Sequence, residues 1–366
     1  MNKRSDYSFI NQALDLARLG LFTTDPNPRV GSLVVKDDQV IGKGYHRVSG
    51  GPHAEIFALE EAKDSALGAT LYVTLEPCCF KGKTGSCTKA IIQSGIKKVV
   101  CSIEDPNPRV SGKGISELRE AGIVVDVGIL ADQSKELNKG FFNRMVSDRP
   151  FIRSKLAISL DGKISLNNGN SKWITGDTSR LDVHQWRARS SAIMTGSSTI
   201  LIDDPSLNAR LDDSVEIKQP IRVILDSNIT IPKTAKCLSI PGDIIIFTNK
   251  KNLNNISKEI MDRVQMELVD GVNHCDISSV LSRLSELKIN EVMVEAGSIL
   301  NGALLKSGLV DELIIYVSPK IIGSSGTDMF ALPEIKDLQD RHSFSFDGVK
   351  KLDKDICLTL RKEIDV

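Results

Sequence analysis

Residues 51–55 read GPHAE and residues 72–87 read YVTLEPCCFKGKTGSC. Together they supply one imidazole, His53, two thiols, Cys78 and Cys87, and a carboxylate, Glu55. A hydrolytic zinc site needs three protein ligands and one open position for water, and His53, Cys78 and Cys87 meet that need. His-x-Glu at the start of a helix brings a ligand and a carboxylate to one point. Glu55 is then left to take a proton from the attacking water and pass it to a leaving amine. Two thiolates weaken zinc as a Lewis acid, so a general base beside it matters more. A purely structural zinc would be four-coordinate with no spare acid. Cys79 adjoins Cys78 and competes as a ligand, although adjacent side chains diverge. Cysteines 101, 237, 275 and 357 read as small core residues.

Outward from this pair of motifs, residues 53–63 read as a helix with Ile56, Leu59 and Ala62 on one face. Before it come short strands at 30–35 and 40–44, joined by a polar turn, and a helix carrying Phe9, Ile10, Ala13, Leu14, Ala17 and Leu21. After it the spacing predicts a strand at 70–75, a helix at 88–94 ending at Gly95, and strands at 99–103 and 123–127. A helix at 114–121 lies between those two strands, and one closing helix spans 131–145. Such alternation implies a sheet with helices packed on it. The polar run Ser147, Asp148, Arg149, Pro150 marks a boundary between domains 1–147 and 148–366. The second domain alternates again, with strands at 151–159, 192–195, 221–226, 243–248, 291–295 and 312–317. Its helices fall at 179–189, 280–287 and 300–307.

Two domains suit the length, since 366 residues exceed the roughly 250–300 at which single cores stop growing. Lys+Arg and Asp+Glu both number 47, so phosphate-dominated nucleic-acid binding is disfavoured and a small-molecule substrate favoured. No apolar leader follows Met1, and no run of about 18 apolar residues offers a membrane span. The seven cysteines, an odd number, suit a reducing compartment, and the expected location is the cytoplasm. Oligomeric state is left open, a homo-oligomer included. The hexapeptide DPNPRV occurs at 25–30 and again at 105–110. A proline-flanked asparagine makes a stiff turn that presents an amide. The first copy reads as functional through Asn27, and the second as either functional or structural.

His-x-Glu with Pro-Cys and a second cysteine is the signature of zinc nucleobase deaminases, here with Cys-x8-Cys spacing. Further stretches extend the match: FTTDPNPRVG (22–31), EDPNPRVSGKG (104–114), LNKGFF (137–142), KLAISLDG (155–162), SKWITG (171–176), TGSSTILIDDP (195–205) and VEAG (294–297). With these the chain resembles, over nearly its whole length, the bifunctional deaminase–reductase family of riboflavin biosynthesis. The family usually carries Ser-His after the first cysteine and Thr-Pro-Pro before the second. This chain has Cys79-Phe80 and Thr84-Gly85-Ser86 instead, which changes the groups that the loop offers to substrate.

The resemblance implies an α/β chain with a cytidine-deaminase-like three-layer domain followed by a dihydrofolate-reductase-like domain. It implies zinc and NADPH as cofactors, and as substrate a diaminopyrimidinone ribosylamino 5′-phosphate. The ring would be deaminated first and the ribosyl group then reduced to ribityl. By position, Ala157, Trp173, Thr199, Asp203, Ser227 and the run Gly297, Ser298, Ile299, Leu300, Asn301, Gly302, Ala303 would contact NADPH. Ser171, Arg187, Leu207, Arg210 and Glu295 would contact substrate, with Arg187 and Arg210 together on its phosphate. Asp161 would organise the site instead of donating protons. Two other readings stand beside this one: a nucleoside- or tRNA-type deaminase fused to an unrelated domain, and a zinc-stabilised homologue without activity.

Overall fold

The computed structural model describes residues 3–80, 85–167, 174–249, 262–271 and 274–363. The chain forms two compact units, Met1–Asp148 with Glu216–Lys218, and Arg149–Val215 with Gln219–Val366.

The first unit runs α1 (Lys3–Arg18), β1 (Gly31–Lys36), β2 (Gln39–Tyr45), α2 (Ala54–Ala62), β3 (Thr70–Val73), α3 (Cys87–Gln93), β4 (Lys98–Cys101), α4 (Lys113–Glu120), β5 (Val124–Val127), α5 (Ala131–Leu137) and α6 (Lys139–Ser147). Its sheet has the order β2-β1-β3-β4-β5. β1 is antiparallel to both neighbours, whereas β3, β4 and β5 are parallel. Side chains alternate across the strands. Leu33 and Val35 pack with Phe9, Ile10 and Leu14 of α1, and Val34 packs on the other face with Ala58, Ile91 and Leu118. The result is three layers, helix, sheet and helix.

Where α2 crosses β2 there is no room for a side chain. A Cβ on Gly42 would lie 2.1 Å from the Ala58 carbonyl oxygen, and one on Gly44 would lie 2.3 Å from that of Ala54. The helix therefore rests directly on the strand, which fixes where its first turn begins. The closing helix expected at 131–145 is two helices, α5 and α6. They break at Asn138, whose backbone leaves the helical region (φ −115°, ψ 22°). The cause is tertiary: the Asn138 amide accepts from the Arg29 N–H at 2.7 Å and donates to the Arg29 carbonyl at 2.9 Å.

The second unit contains β6 (Phe151–Ser159), β7 (Lys163–Ser165), α7 (Asp177–Arg189), β8 (Ala192–Gly196), α8 (Ser197–Asp203), β9 (Ile221–Leu225), β10 (Ile244–Asn249), β11 (Gln265–Val269), β12 (Glu291–Val294), β13 (Glu312–Ser318), β14 (Thr327–Asp328), β15 (Phe344–Leu352) and β16 (Asp355–Lys362). Helices Ile277–Glu286 and Ser298–Lys306 flank β12 in sequence. Nine strands form one sheet, β11-β10-β9-β8-β12-β6-β13-β16-β15. It is parallel from β11 to β13 and closes with the antiparallel strands β16 and β15. Strands buried on both faces read as apolar runs, and the expected strands from 151 to 317 are these. The β15–β16 hairpin went unread because β15 is exposed along almost all its length and carries no alternating signal. Among the described residues no helix is long and apolar enough to cross a membrane.

The starts of β6, β12 and β13 enclose a charge cluster. Arg153 is fully buried, with its Nε 2.5 Å from Glu312 and its Nη1 3.1 Å from Glu291. Arg189 approaches Glu291 at 3.4 Å. Removing one partner from a buried pair leaves an uncompensated charge, at a cost of about 3–5 kcal/mol. Arg153→Met should therefore destabilise the second unit by about that much. Both tryptophans of the chain, Trp173 and Trp186, lie in this unit, so their fluorescence during urea unfolding reads it selectively. An unchanged midpoint would show that the cluster contributes no net stability.

Candidate functional site

His53 caps α2 in an extended conformation (φ −78°, ψ 165°), and Glu55 follows in the first turn. Cys78 lies beyond the end of β3, and Cys87 is the first residue of α3. The two cysteine segments are laced together, because the Cys78 carbonyl accepts from the Ser86 hydroxyl at 3.3 Å and from the Thr88 N–H at 3.2 Å. The ligand atoms of His53, Cys78 and Cys87 all lie within 4.8 Å of one another. His53 Nδ1 is 3.2 Å from Cys87 Sγ and 3.5 Å from Cys78 Sγ. Ligand bonds of about 2.0–2.3 Å in a tetrahedron put neighbouring donors about 3.5–3.8 Å apart, so one imidazole and two thiols at this spacing fit zinc. Cys79, the rival ligand, turns elsewhere, its Sγ approaching the Arg109 carbonyl at 4.0 Å.

The three side chains are electrostatically coupled through shared protons. A hydrogen bond from Cys87 and the charge on His53 hold the Cys78 thiol down to about 4. The bond to Cys78 raises the His53 imidazole to about 9 against the effect of burial. The shared proton and burial push the Cys87 thiol up. Glu55 is buried, and burial pushes its carboxyl up, opposed by the charge of His53. Its carboxylate also accepts from the Cys87 thiol, which places it against the ligand set.

Two features support this cluster. Asn27 Nδ2 lies 3.0 Å from His46 Nε2, and the His46 ring stands edge-on to His53 at 5.4 Å. The first DPNPRV copy thus reaches the site. The second is clamped by Glu76, whose carboxylate accepts the N–H groups of Asp105 (3.1 Å), Gly112 (2.9 Å), Gly114 (2.9 Å) and Ile115 (3.2 Å). Sequence reading passed over His46 and Glu76. The signal for Glu76 was its place two residues before Cys78 in Glu-Pro-Cys.

In the second unit, three of the expected substrate residues, Arg187, Arg210 and Glu295, lie close together. Glu295 follows β12, and Arg187 reaches it from α7 with Nε–Oε1 2.6 Å and Nη2–Oε2 2.8 Å. Arg187 Nη1 donates to the Asn208 carbonyl at 3.1 Å. Burial would raise Glu295, but Arg187, Lys155 and His184 outweigh it and hold the carboxyl at about 2. The Arg187 fork, expected on a phosphate together with Arg210, is closed here on Glu295. Arg210 is exposed, bonded through Nη1 to Asn208 Oδ1 at 3.0 Å, and among the described residues it has no carboxylate partner. Leu207 is buried to 1% exposure within an apolar cluster, so its side chain is core. Lys155, unforeseen from sequence, projects from β6 near Glu295 and Arg187, and burial lowers its ammonium.

The cofactor positions divide. Thr199 and Asp203 lie four residues apart on α8 and Ala157 lies on β6. The Ser227 hydroxyl is engaged by Cys275, accepting its N–H at 2.8 Å and donating to its Sγ at 3.4 Å. Gly297 precedes helix Ser298–Lys306 with no side-chain cap. Nothing lies within 4 Å of a Cβ placed on it. A diphosphate fits such a helix start, where the first amides lack partners. Thr195 Oγ1, at the end of β8, is buried with no hydrogen-bond partner among the described residues. Two positions of the expected run 297–303 also have packing roles. The Asn301 side chain turns inward to Ser154 (2.6 Å) and to the Ala296 carbonyl (2.7 Å). A Cβ on Gly302 would meet the Ala331 carbonyl at 2.3 Å, so that glycine serves packing. Asp161 accepts from Ser159 (2.6 Å) and from the N–H of Gly323 (2.6 Å), an organising role. Ser171 and Trp173 lie outside the described residues.

Residues 3–103 match the family model described as the cytidine and deoxycytidylate deaminase zinc-binding region. Residues 150–358 match the RibD C-terminal domain. The riboflavin biosynthesis protein RibD of Escherichia coli is 41% identical, over 97% of this chain and 99% of its own. Among solved structures, a RibD of Acinetobacter baumannii superposes with TM-score 0.93 at 40% identity, covering 99% of this chain and 100% of its own. A Thermotoga maritima diaminohydroxyphosphoribosylaminopyrimidine deaminase/5-amino-6-(5-phosphoribosylamino)uracil reductase gives 0.88 at 37% identity, covering 98% of this chain and 99% of its own.

If His53, Cys78 and Cys87 hold the metal, elemental analysis of the purified protein should find about one zinc per chain. Cys87→Ser should lose it. Glu55→Gln should keep the zinc and lose deamination by about 10²–10⁴-fold, the usual worth of a general acid–base. Near-normal turnover in Glu55→Gln would show that the proton moves through another group.

Proposed function

The chain belongs to the RibD family of riboflavin-biosynthesis deaminase–reductases, and from that premise we propose how its residues divide the work. The protein is a bifunctional enzyme, a zinc-dependent deaminase and an NADPH-dependent reductase acting on small molecules. Residues 1–147 carry the deaminase and 148–366 the reductase. The substrate of the first is the diaminopyrimidinone ribosylamino 5′-phosphate, and its deaminated product is the substrate of the second. The similarity to the Thermotoga maritima enzyme along 98% of the chain supports both. The observation that carries the deaminase reading is the buried His53, Cys78 and Cys87 set with the Glu55 carboxylate against Cys87.

Zinc held by His53, Cys78 and Cys87 supplies the Lewis acidity that readies water, and NADPH supplies a hydride. In the deaminase, water oxygen bonds to the ring carbon as the carbon–nitrogen bond breaks and ammonia leaves. Glu55 takes the proton from water and returns it to the departing nitrogen, a task that suits a carboxyl raised by burial. Asn27, backed by His46, orients the ring. In the reductase, the sugar carbon gains a hydride and the opened sugar oxygen a proton. Lys155, whose proton is loosened by burial, stands where it can donate. Glu295, kept ionised by Arg187, accepts a hydroxyl or ring N–H. Arg210 receives the phosphate. Thr199, Asp203 and the amides of 298–300 hold the cofactor, with Ala157 and Ser227 beside them. The cytoplasm suits this chemistry and the free thiols of the described cysteines. The balanced charge supports a protein that binds neither nucleic acid nor membrane.

One assay of purified protein with the diaminopyrimidine phosphate, with and without NADPH, tests the whole reading. Ammonia should appear in both arms and the ribityl product only with NADPH. Ammonia without reduction under any condition would refute the reductase half. Arg210→Ala should raise KM for the phosphorylated uracil substrate roughly 10–100-fold, the loss of a charge-assisted hydrogen bond, with NADPH affinity unchanged. Arg187→Ala should chiefly lower kcat, since it frees Glu295. A loss of NADPH binding in either variant would reassign that arginine to the cofactor.

A further inference from the structure

His184 is buried on α7 at 8% exposure, three residues before Arg187 and therefore on the same helix face. Its Nδ1 accepts the main-chain N–H of Arg210 at 3.1 Å, and its Nε2 lies 3.1 Å from Arg210 Nη2. Burial and the charges of Arg187 and Arg210 lower its pKa to about 4, despite Glu295 and the Asn208 carbonyl. The ring is thus neutral at physiological pH and has one donor and one acceptor nitrogen. With the lone pair of Nδ1 used by the Arg210 N–H, the ring proton is on Nε2. In that tautomer Nε2 is a donor and does not accept from Arg210 Nη2. The same ring therefore ties down the backbone of Arg210 and cannot occupy its guanidinium. The one side-chain acceptor on that guanidinium among the described residues is Asn208 Oδ1, through Nη1.

We infer that His184 is a positioning residue for the phosphate of the reductase substrate, fixing Arg210 by its main chain so that its guanidinium stays open to an anion. This rests on the proposal that Arg210 receives that phosphate. Asparagine places a carbonyl oxygen near the position of Nδ1, and glutamine places one near Nε2, so the two substitutions separate the two contacts.

The test uses full-length protein, with the phosphorylated uracil substrate and its dephosphorylated counterpart assayed in parallel. His184→Ala should raise KM for the phosphorylated substrate on the order of 10-fold, as expected for a buried donor left without its acceptor. The dephosphorylated substrate, kcat and NADPH affinity should be little changed. His184→Asn should restore KM and His184→Gln should not. Equal losses on both substrates would make His184 a general support and overturn the inference. So would rescue by glutamine in place of asparagine, or an unchanged KM in His184→Ala. If the alanine variant fails to fold, the asparagine–glutamine comparison reads the same contact. Failure of the underlying proposal shows separately: Arg210→Ala would then lose no discrimination between the two substrates.

Discussion

Parallel strand pairing governs where chemistry can occur in both units. Parallel neighbours leave the sheet at the same edge, so the residues just past their ends converge without any long loop. β3 and β4 pair in parallel; the first leads to Glu76, Pro77 and Cys78 and the second to Asp105 and Asn107. β8, β12 and β6 are parallel neighbours, and past their ends or along them come α8, Glu295 and Lys155. The helices add the remaining groups by their starting points, His53 at α2 and Cys87 at α3. The close seat of α2 on Gly42 and Gly44 makes its starting point a fixed coordinate of the sheet.

Buried carboxylates take different parts because different partners offset their burial. Glu76 accepts four backbone N–H groups and is a fastener. Glu291 and Glu312 are neutralised by Arg153 and hold strands together. Glu295 is matched by a two-pronged arginine and kept strongly acidic, which suits an acceptor that never takes a proton. Glu55 has no arginine, and burial pushes it upward. That environment sets Glu55 apart from the carboxylates that arginines or backbone amides engage.

The sequence made the architecture legible wherever the local pattern and the tertiary demand agreed. The apolar strands of both sheets were readable because burial leaves strict residue types, and the convergence of His53, Cys78, Cys87 and Glu55 was readable from residue type and spacing. Asn138 misled because its role is tertiary. Nothing in the 131–145 pattern reveals that its amide serves Arg29. In the β15–β16 hairpin, β15 is exposed along almost all its length and gives no alternation to read. Lys155, His46 and His184 look like ordinary polar residues in a strand, a turn and a helix. Only folding shows that they face other functional groups. The pairing of Arg187 with Glu295 was hidden for the same reason, since the two lie 108 positions apart and the sequence between them carries no trace of the contact. Residue-by-residue transfer from the family suggested 297–303 as one cofactor run, and folding adds that the Asn301 side chain turns inward and that Gly302 sits against the Ala331 carbonyl.

The break at Asn138 reaches further than helix geometry. The region that matches the zinc-binding family model ends at residue 103 and already holds every metal-ligating side chain. Yet the loop that carries Asn27 is closed by an amide 109 positions beyond Arg29. A fragment cut at 103 would keep His53, Cys78 and Cys87 but would leave the loop that carries Asn27 unfastened. The modular boundary drawn by similarity and the mechanical boundary drawn by hydrogen bonds are therefore different places in this chain.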